Sequence, residues 1–194
     1  MLIEGMSKLS YAKSRSISAE NPTGEKGRGA MAEPSAHHQK DCPPRELGKG
    51  WKCRPAVLIN PGESFTLAEI AESGMIQSMW FGGYTGRDFI LRIFWDNQAQ
   101  PSVECPLPDF FALPWVTNAM AVGPVKGPLV QVNSLPVSVN PNRGRNCFWE
   151  MPFRKNCRIV LENIHPREAK VCFYQINYSL TEIPEDAGCF HAQF

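Results

Sequence analysis

Large apolar side chains recur in this chain at every second position, and no stretch repeats them at the spacing of a helix face. In residues 87–95, Phe89, Leu91, Ile93 and Trp95 fall on one side and Asp88, Ile90, Arg92 and Phe94 on the other. A period of two is that of a pleated strand with one face in a core. Cys157, Ile159 and Leu161 alternate against Arg158 and Glu162 in the same way. Cys172, Tyr174, Ile176, Tyr178 and Leu180 line one face of residues 169–180. Shorter strands are expected over residues 14–19, 51–60, 63–70, 74–81, 102–105, 129–133 and 135–139. Pro61-Gly62, Gly82-Gly83 and Asp96-Asn97 supply turns between them. Asp109 is placed to cap one short helical turn. Roughly eight to ten strands with irregular turns imply an all-β protein, an antiparallel β-sandwich, with the jelly roll as the variant that suits long crossing loops. Phe89, Leu91, Ile93, Trp95, Ile159, Leu161, Tyr174 and Ile176 are expected in the core between its sheets.

The chain has 194 residues, the size of one β-domain or at most two small domains. Residues 1–50 are polar and read as an N-terminal arm and loop; residues 51–194 read as the sandwich. The formal net charge of +1 gives no field that would draw nucleic acid or an acidic membrane. No window is apolar and long enough for a transmembrane helix, and no basic segment followed by an apolar one marks a signal peptide. The seven cysteines form no CxxC pair, which argues against a zinc ribbon or a thioredoxin motif. Cys53, Cys105, Cys157 and Cys172 fall within expected strands, as small apolar side chains would. Reduced thiols point to the cytoplasm. His37, His38, His165 and His191 show no ligand spacing. Neither a metal nor a cofactor is expected.

Two stretches invite a functional reading. Glu20-Asn21-Pro22-Thr23-Gly24-Glu25-Lys26-Gly27-Arg28-Gly29 is glycine-rich, but it lacks the Walker spacing and a flanking strand and helix. It is either a flexible arm or an ordered loop that meets a partner or completes a pocket through Glu20, Asn21, Glu25 and Lys26. The second stretch is residues 133–163. There the turn cluster from Asn140 to Asn146 precedes Phe148, Trp149, Met151 and Phe153, interleaved with Glu150, Arg154 and Lys155. Aromatic rings beside charged groups can floor a sugar site. They can equally plug a sheet corner. Glu104, Asp109 and Glu150 are the carboxylates nearest such rings. A glycosidase needs two carboxyl groups about 5–5.5 Å apart for retention or about 6.5–9.5 Å for inversion. No GxSxG or Cys–His arrangement supports a nucleophile.

Ser16-Ile17-Ser18-Ala19-Glu20-Asn21-Pro22-Thr23-Gly24-Glu25-Lys26-Gly27 resembles the N-terminal signature of domain-of-unknown-function family 2961, whose characterised members form glycoside hydrolase family 172. Gly48-Lys49-Gly50-Trp51-Lys52, Ile90-Leu91-Arg92, the segment from Pro101 to Phe111, Asn133-Ser134-Leu135-Pro136, Arg145-Asn146-Cys147-Phe148-Trp149 and Met151-Pro152-Phe153-Arg154-Lys155 follow in the family's order. Tyr174-Gln175-Ile176, Tyr178-Ser179-Leu180 and Phe190-His191-Ala192-Gln193 complete the resemblance. Pro108 and Glu150 depart from it.

The resemblance implies the first of two jelly rolls in a trimeric, retaining enzyme. Its substrates would be α-linked fructofuranose or arabinofuranose, including furanose-containing oligosaccharides and difructose dianhydride. The family's catalytic glutamates fall beyond the point matching Phe194, in Gly-Glu-Gly and Thr-Glu-Asp contexts that this sequence lacks. The expectation is therefore a domain with no catalytic residue of its own. The residues that match pocket-lining positions are Glu20, Asn21, Trp51, Asn146 and Trp149. The alternative is a non-catalytic carbohydrate-binding or oligomer-assembly module.

Overall fold

The computed structural model describes residues 9–33, 47–114, 131–140 and 144–194. His37, His38 and Cys42, the prolines at 34, 43 and 44, the start of the strand expected at 129–133 and the turn residues 141–143 lie outside them. In chain order the strands are β1 (Lys13–Ser18), β2 (Val57–Ile59), β3 (Ser64–Ile70), β4 (Gly74–Gly83), β5 (Phe89–Trp95), β6 (Val103–Pro106), β7 (Val132–Asn133), β8 (Val137–Val139), β9 (Arg145–Cys147), β10 (Met151–Phe153), β11 (Cys157–Asn163), β12 (Lys170–Leu180) and β13 (Ala192–Gln193). One short helix, α1 (Leu107–Phe110), follows β6. No helix among the described residues is long and apolar enough to cross a membrane.

The strands form two sheets. The larger runs β1-β12-β4-β9-β8-β7, with β2 also on β12 and β10 also on β4. The smaller runs β13-β6-β5-β11-β3. All pairings are antiparallel except that of β13 with β6. The chain is thus a β-sandwich, as the alternation requires. The eight side chains expected in the core are all buried, Leu91, Ile93 and Trp95 completely. The Trp95 and Phe153 rings stack across the two sheets, 6.1 Å apart and 7° from parallel. Phe81 meets Phe111 edge-on beside them. The indole N–H of Trp95 donates to the Phe190 carbonyl at 2.8 Å, which ties the C-terminal segment to the core.

Two bulges adjust the alternation. Between β11 and β3 the register skips Leu67, so Leu67 and Ala68 both point inward. Between β12 and β4 it skips Gln77: Asn177 faces Ser78 and Tyr178 faces Ile76. An extra residue of this kind leaves the ladder and redirects its side chain. On the outer face of the smaller sheet, Arg92 bridges Glu104 at 3.3 Å and Glu162 at 2.5 Å. The Arg158 guanidinium lies 4.0 Å from the centre of the Phe94 ring.

Several expectations need correction. Only Val57–Ile59 of the strand expected at 51–60 is extended ladder. Pro55 has no N–H to donate to a neighbouring strand. Cys53 is consequently buried outside any strand, with its thiol on the Gly48 carbonyl at 3.1 Å. Asp109 does not cap α1. Pro106 occupies the N-cap, no side chain caps it, and Asp109 lies in the first turn, where it pairs with Arg87. Gly82-Gly83 does not end β4 early but forms its last two residues. Leu135 precedes β8 and is exposed.

A polar outer face on the larger sheet

Alternation in β1, β12, β4, β9 and β8 sends one set of side chains into the core and the other set outward. The register then lines up the outward set. Ser18 faces Gln175, Gln175 faces Trp80, Trp80 faces Asn146, Asn146 faces Ser138, and Ser138 faces Asn133. Directly opposed residues share a face of the sheet, with Cβ atoms about 4.5–5.5 Å apart. A second row carries Ser16, Asn177 and Ser78. Hydrogen bonds knit the rows together. The Gln175 amide donates to Asn177 Oδ1 at 2.9 Å, and the Asn177 amide donates to Ser78 Oγ at 3.0 Å. The bulged Gln77 donates to Ser179 Oγ at 3.2 Å, so the extra residue of β4 also serves this face.

Two cavities open on the face. One, of about 590 Å³, lies where the glycine-rich loop folds back, between Arg15, Asn21, Lys26, Gln77, Asn177 and Tyr178. Gly24 makes that fold possible: its φ of +69° is left-handed, and a Cβ there would sit 2.4 Å from Tyr178 Oη. Burial raises the Tyr178 phenol above its ordinary value, so its hydroxyl stays protonated. The second cavity, of about 470 Å³, is bounded by Trp80, Gly82, Gly83, Asn140, Gly144, Asn146 and Phe173. Beneath Asn146 the next residue, Cys147, points inward, and burial pushes its thiol up to about 12.

The residues singled out from sequence fall in several places. The Asn21 amide donates to the carbonyls of Ser16 at 3.2 Å and Glu25 at 3.1 Å, which closes the loop beside the first cavity. Glu20 accepts the backbone N–H of Arg54 at 2.5 Å and joins the loop to the segment before β2. Asn146 borders the second cavity, and its amide donates to the carbonyls of Ser138, Asn140 and Gly144, each at 3.3 Å. Trp51 is 56% exposed and borders neither cavity. Trp149 packs against Phe190, with ring centres 5.7 Å apart, and Phe190 packs against Phe110. It closes one end of the core and still shows 42% of its surface. The structure therefore puts Asn21 and Asn146 on one face and sets Trp51 and Trp149 away from its cavities.

Glu25 borders the first cavity and pairs with Arg28 at 3.3 Å, and the other carboxylates singled out from sequence do not join it there. Glu104 and Asp109 are paired with Arg92 and Arg87, and Glu150 points to solvent in the loop between β9 and β10. Asp96 accepts three backbone N–H groups from Arg154, Lys155 and Asn156. Among the described residues no group of three or more His, Cys, Asp or Glu side chains could hold a metal ion. His165 organises its own turn, its Nδ1 accepting from Arg167 and Glu168. The reading of the sequence missed Trp80, Phe173, Gln175, Asn177 and Gln77. Four of the five were within reach of alternation, because Met79 and Phe81 inward put Ser78 and Trp80 outward, and Tyr174 and Ile176 inward put Phe173, Gln175 and Asn177 outward. Gln77 depended on the bulge.

Residues 55–190 match the family model described as the GH172 first beta-sandwich domain. The match spans β2 to β12. No curated protein matches the chain.

Proposed function

The chain belongs to the GH172 family through its first β-sandwich domain, and from that premise we propose that it forms the substrate-facing, non-catalytic part of a carbohydrate-active enzyme. The reaction would be retaining cleavage or transfer of α-linked fructofuranosyl or arabinofuranosyl groups, as the family resemblance implies. Asn21 and Asn146 would face substrate directly, with Glu20 holding the loop that carries Asn21. Trp51 and Trp149 would serve where subunits of a trimer meet.

The observation that carries this reading is the disposition of the carboxylates. Glycoside cleavage requires an acid for the leaving oxygen and a second carboxylate for the developing oxocarbenium charge. Glu104 and Asp109 are each held by an arginine, and no carboxylate among the described residues borders the cavity at Trp80 and Asn146. The acid and the nucleophile would come from outside residues 1–194.

The same uncharged cavity favours a second reading, a domain that binds saccharide or assembles subunits without catalysis. One assay separates the two. Purified residues 1–194 are incubated with p-nitrophenyl α-arabinofuranoside and with difructose dianhydride, alone and after a second jelly roll of the family is supplied. No turnover alone and turnover on completion supports the enzyme reading. Turnover alone that is lost in Glu104→Gln or Glu150→Gln would overturn the placement of the catalytic pair. Silence in both arms, with sugar binding retained, supports the binding module.

A further inference from the structure

We propose that the cavity at Trp80 is a stacking subsite for one neutral saccharide ring, with the indole of Trp80 and the ring of Phe173 as its floor and the side chains of Asn146 and Asn140 at its rim. The inference rests on the reading above only for the choice of sugar probe.

The floor is built by two consecutive glycines in β4. A Cβ on Gly82 would lie 3.0 Å from both Cη2 and Cζ2 of Trp80, so the indole lies across the strand where a side chain would otherwise stand. A Cβ on Gly83, whose φ is +77°, would lie 2.6 Å from the Val171 carbonyl oxygen and 3.0 Å from Cδ2 of Phe173. Gly82 and Phe173 are also direct cross-strand partners. The two rings therefore cover bare backbone side by side. Trp80 keeps 39% of its surface exposed, although an indole of that size gains by burial. A flat, partly exposed aromatic surface suits the apolar C–H face of a sugar ring.

The rim supplies what the hydroxyls of such a ring require. Trp80 lies between Gln175 on β12 and Asn146 on β9, one pairing away on each side. The Asn146 amide nitrogen is committed to three backbone carbonyls, which fixes the side chain and leaves Oδ1 as the acceptor. No ionisable side chain among the described residues borders the cavity. That chemistry favours a neutral ligand and disfavours phosphates and nucleotides. The volume of about 470 Å³ lies within the range of small-molecule sites.

The test is titration of the full 194-residue chain with methyl α-arabinofuranoside, followed in two-dimensional nitrogen–proton NMR through the indole N–H resonances and through the backbone amides of Gly82, Gly83 and Asn146, which also report in variants without the Trp80 indole. The Trp80 resonance is the one missing in Trp80→Ala. It is expected to shift on titration. Trp80→Ala is expected to weaken binding by about tenfold or more, as truncating a central aromatic anchor does. Trp80→Phe keeps a flat ring and is expected to stay within a few-fold of the parent. Raising the salt should leave affinity unchanged. Furanoside binding that Trp80→Ala does not weaken would overturn the subsite and leave the enzyme reading intact. Binding of methyl α-glucopyranoside but not the furanoside, lost in Trp80→Ala, would support the subsite and count against the furanose substrate. Adenosine or inorganic phosphate binding where neither sugar binds would overturn the inference, as would no binding by any probe to a chain whose NMR spectrum shows it folded.

Discussion

Single residues close this sandwich at points that carry little apolar surface. Asp96 has a φ of +54°, a left-handed conformation that Asp tolerates better than most residues. From there its Oδ1 accepts N–H groups from Arg154 at 2.8 Å and Lys155 at 2.7 Å, locking the turn after β5 against the turn between β10 and β11. Asp96→Ala leaves those donors without their acceptor and should cost about 1–3 kcal/mol in urea unfolding. Asp96→Asn keeps an acceptor oxygen and should cost less; equal losses would mean that charge alone mattered. The buried thiols make a second residue-scale prediction. Burial pushes Cys105 up to about 11 and Cys147 up to about 12, from an ordinary value of 9.0. The folded state thus favours the neutral thiol. That stabilisation is complete below pH 9 and is lost as pH rises toward 11 and 12. Urea midpoints should fall across this alkaline window, and Cys105→Val with Cys147→Val should flatten the fall.

At the scale of elements, β5 is the centre of the smaller sheet, between β6 and β11. Leu91 lies on its inner face with no exposure. Leu91→Ala should cost about 2–5 kcal/mol by the same unfolding measurement; a loss below about 0.5 kcal/mol would mean that the inward face had been misassigned. The glycine-rich loop makes a different prediction. Gly24→Ala must place a Cβ against Tyr178 Oη in a backbone region that L-residues avoid. It should release the loop from β12, seen as faster proteolysis after Lys26 or Arg28 with little change in the core. The elements legible in the sequence were those with long alternating runs: β5, β11 and β12 fell where Phe89, Ile159 and Tyr174 placed them. The strand expected at 51–60 failed because its apolar residues hid the missing donor of Pro55. The outer face was half legible. Asn146 was found through its resemblance to a motif. Alternation alone turns Trp80 outward, but its place beside Asn146 depends on a pairing between β4 and β9 that lie far apart in sequence, and no local pattern records that register.

At the scale of the molecule, the structure predicts a far-ultraviolet circular dichroism spectrum of antiparallel strands, since α1 is the one helix among the described elements and has four residues. A double minimum of helical type would contradict it. The two outer walls differ in kind. The smaller sheet presents Arg92 between Glu104 and Glu162, and Arg158 over Phe94. The larger sheet presents serines, amides and Trp80 in matched rows. Mobile ions screen exposed charge pairs over about 10 Å at 0.1 M and act little on neutral hydrogen bonds. Hydrogen exchange at increasing salt should therefore quicken at the amides of β5, β6 and β11 and hold steady at those of β4 and β12. Ionic strength addresses one wall of the sandwich and passes over the other.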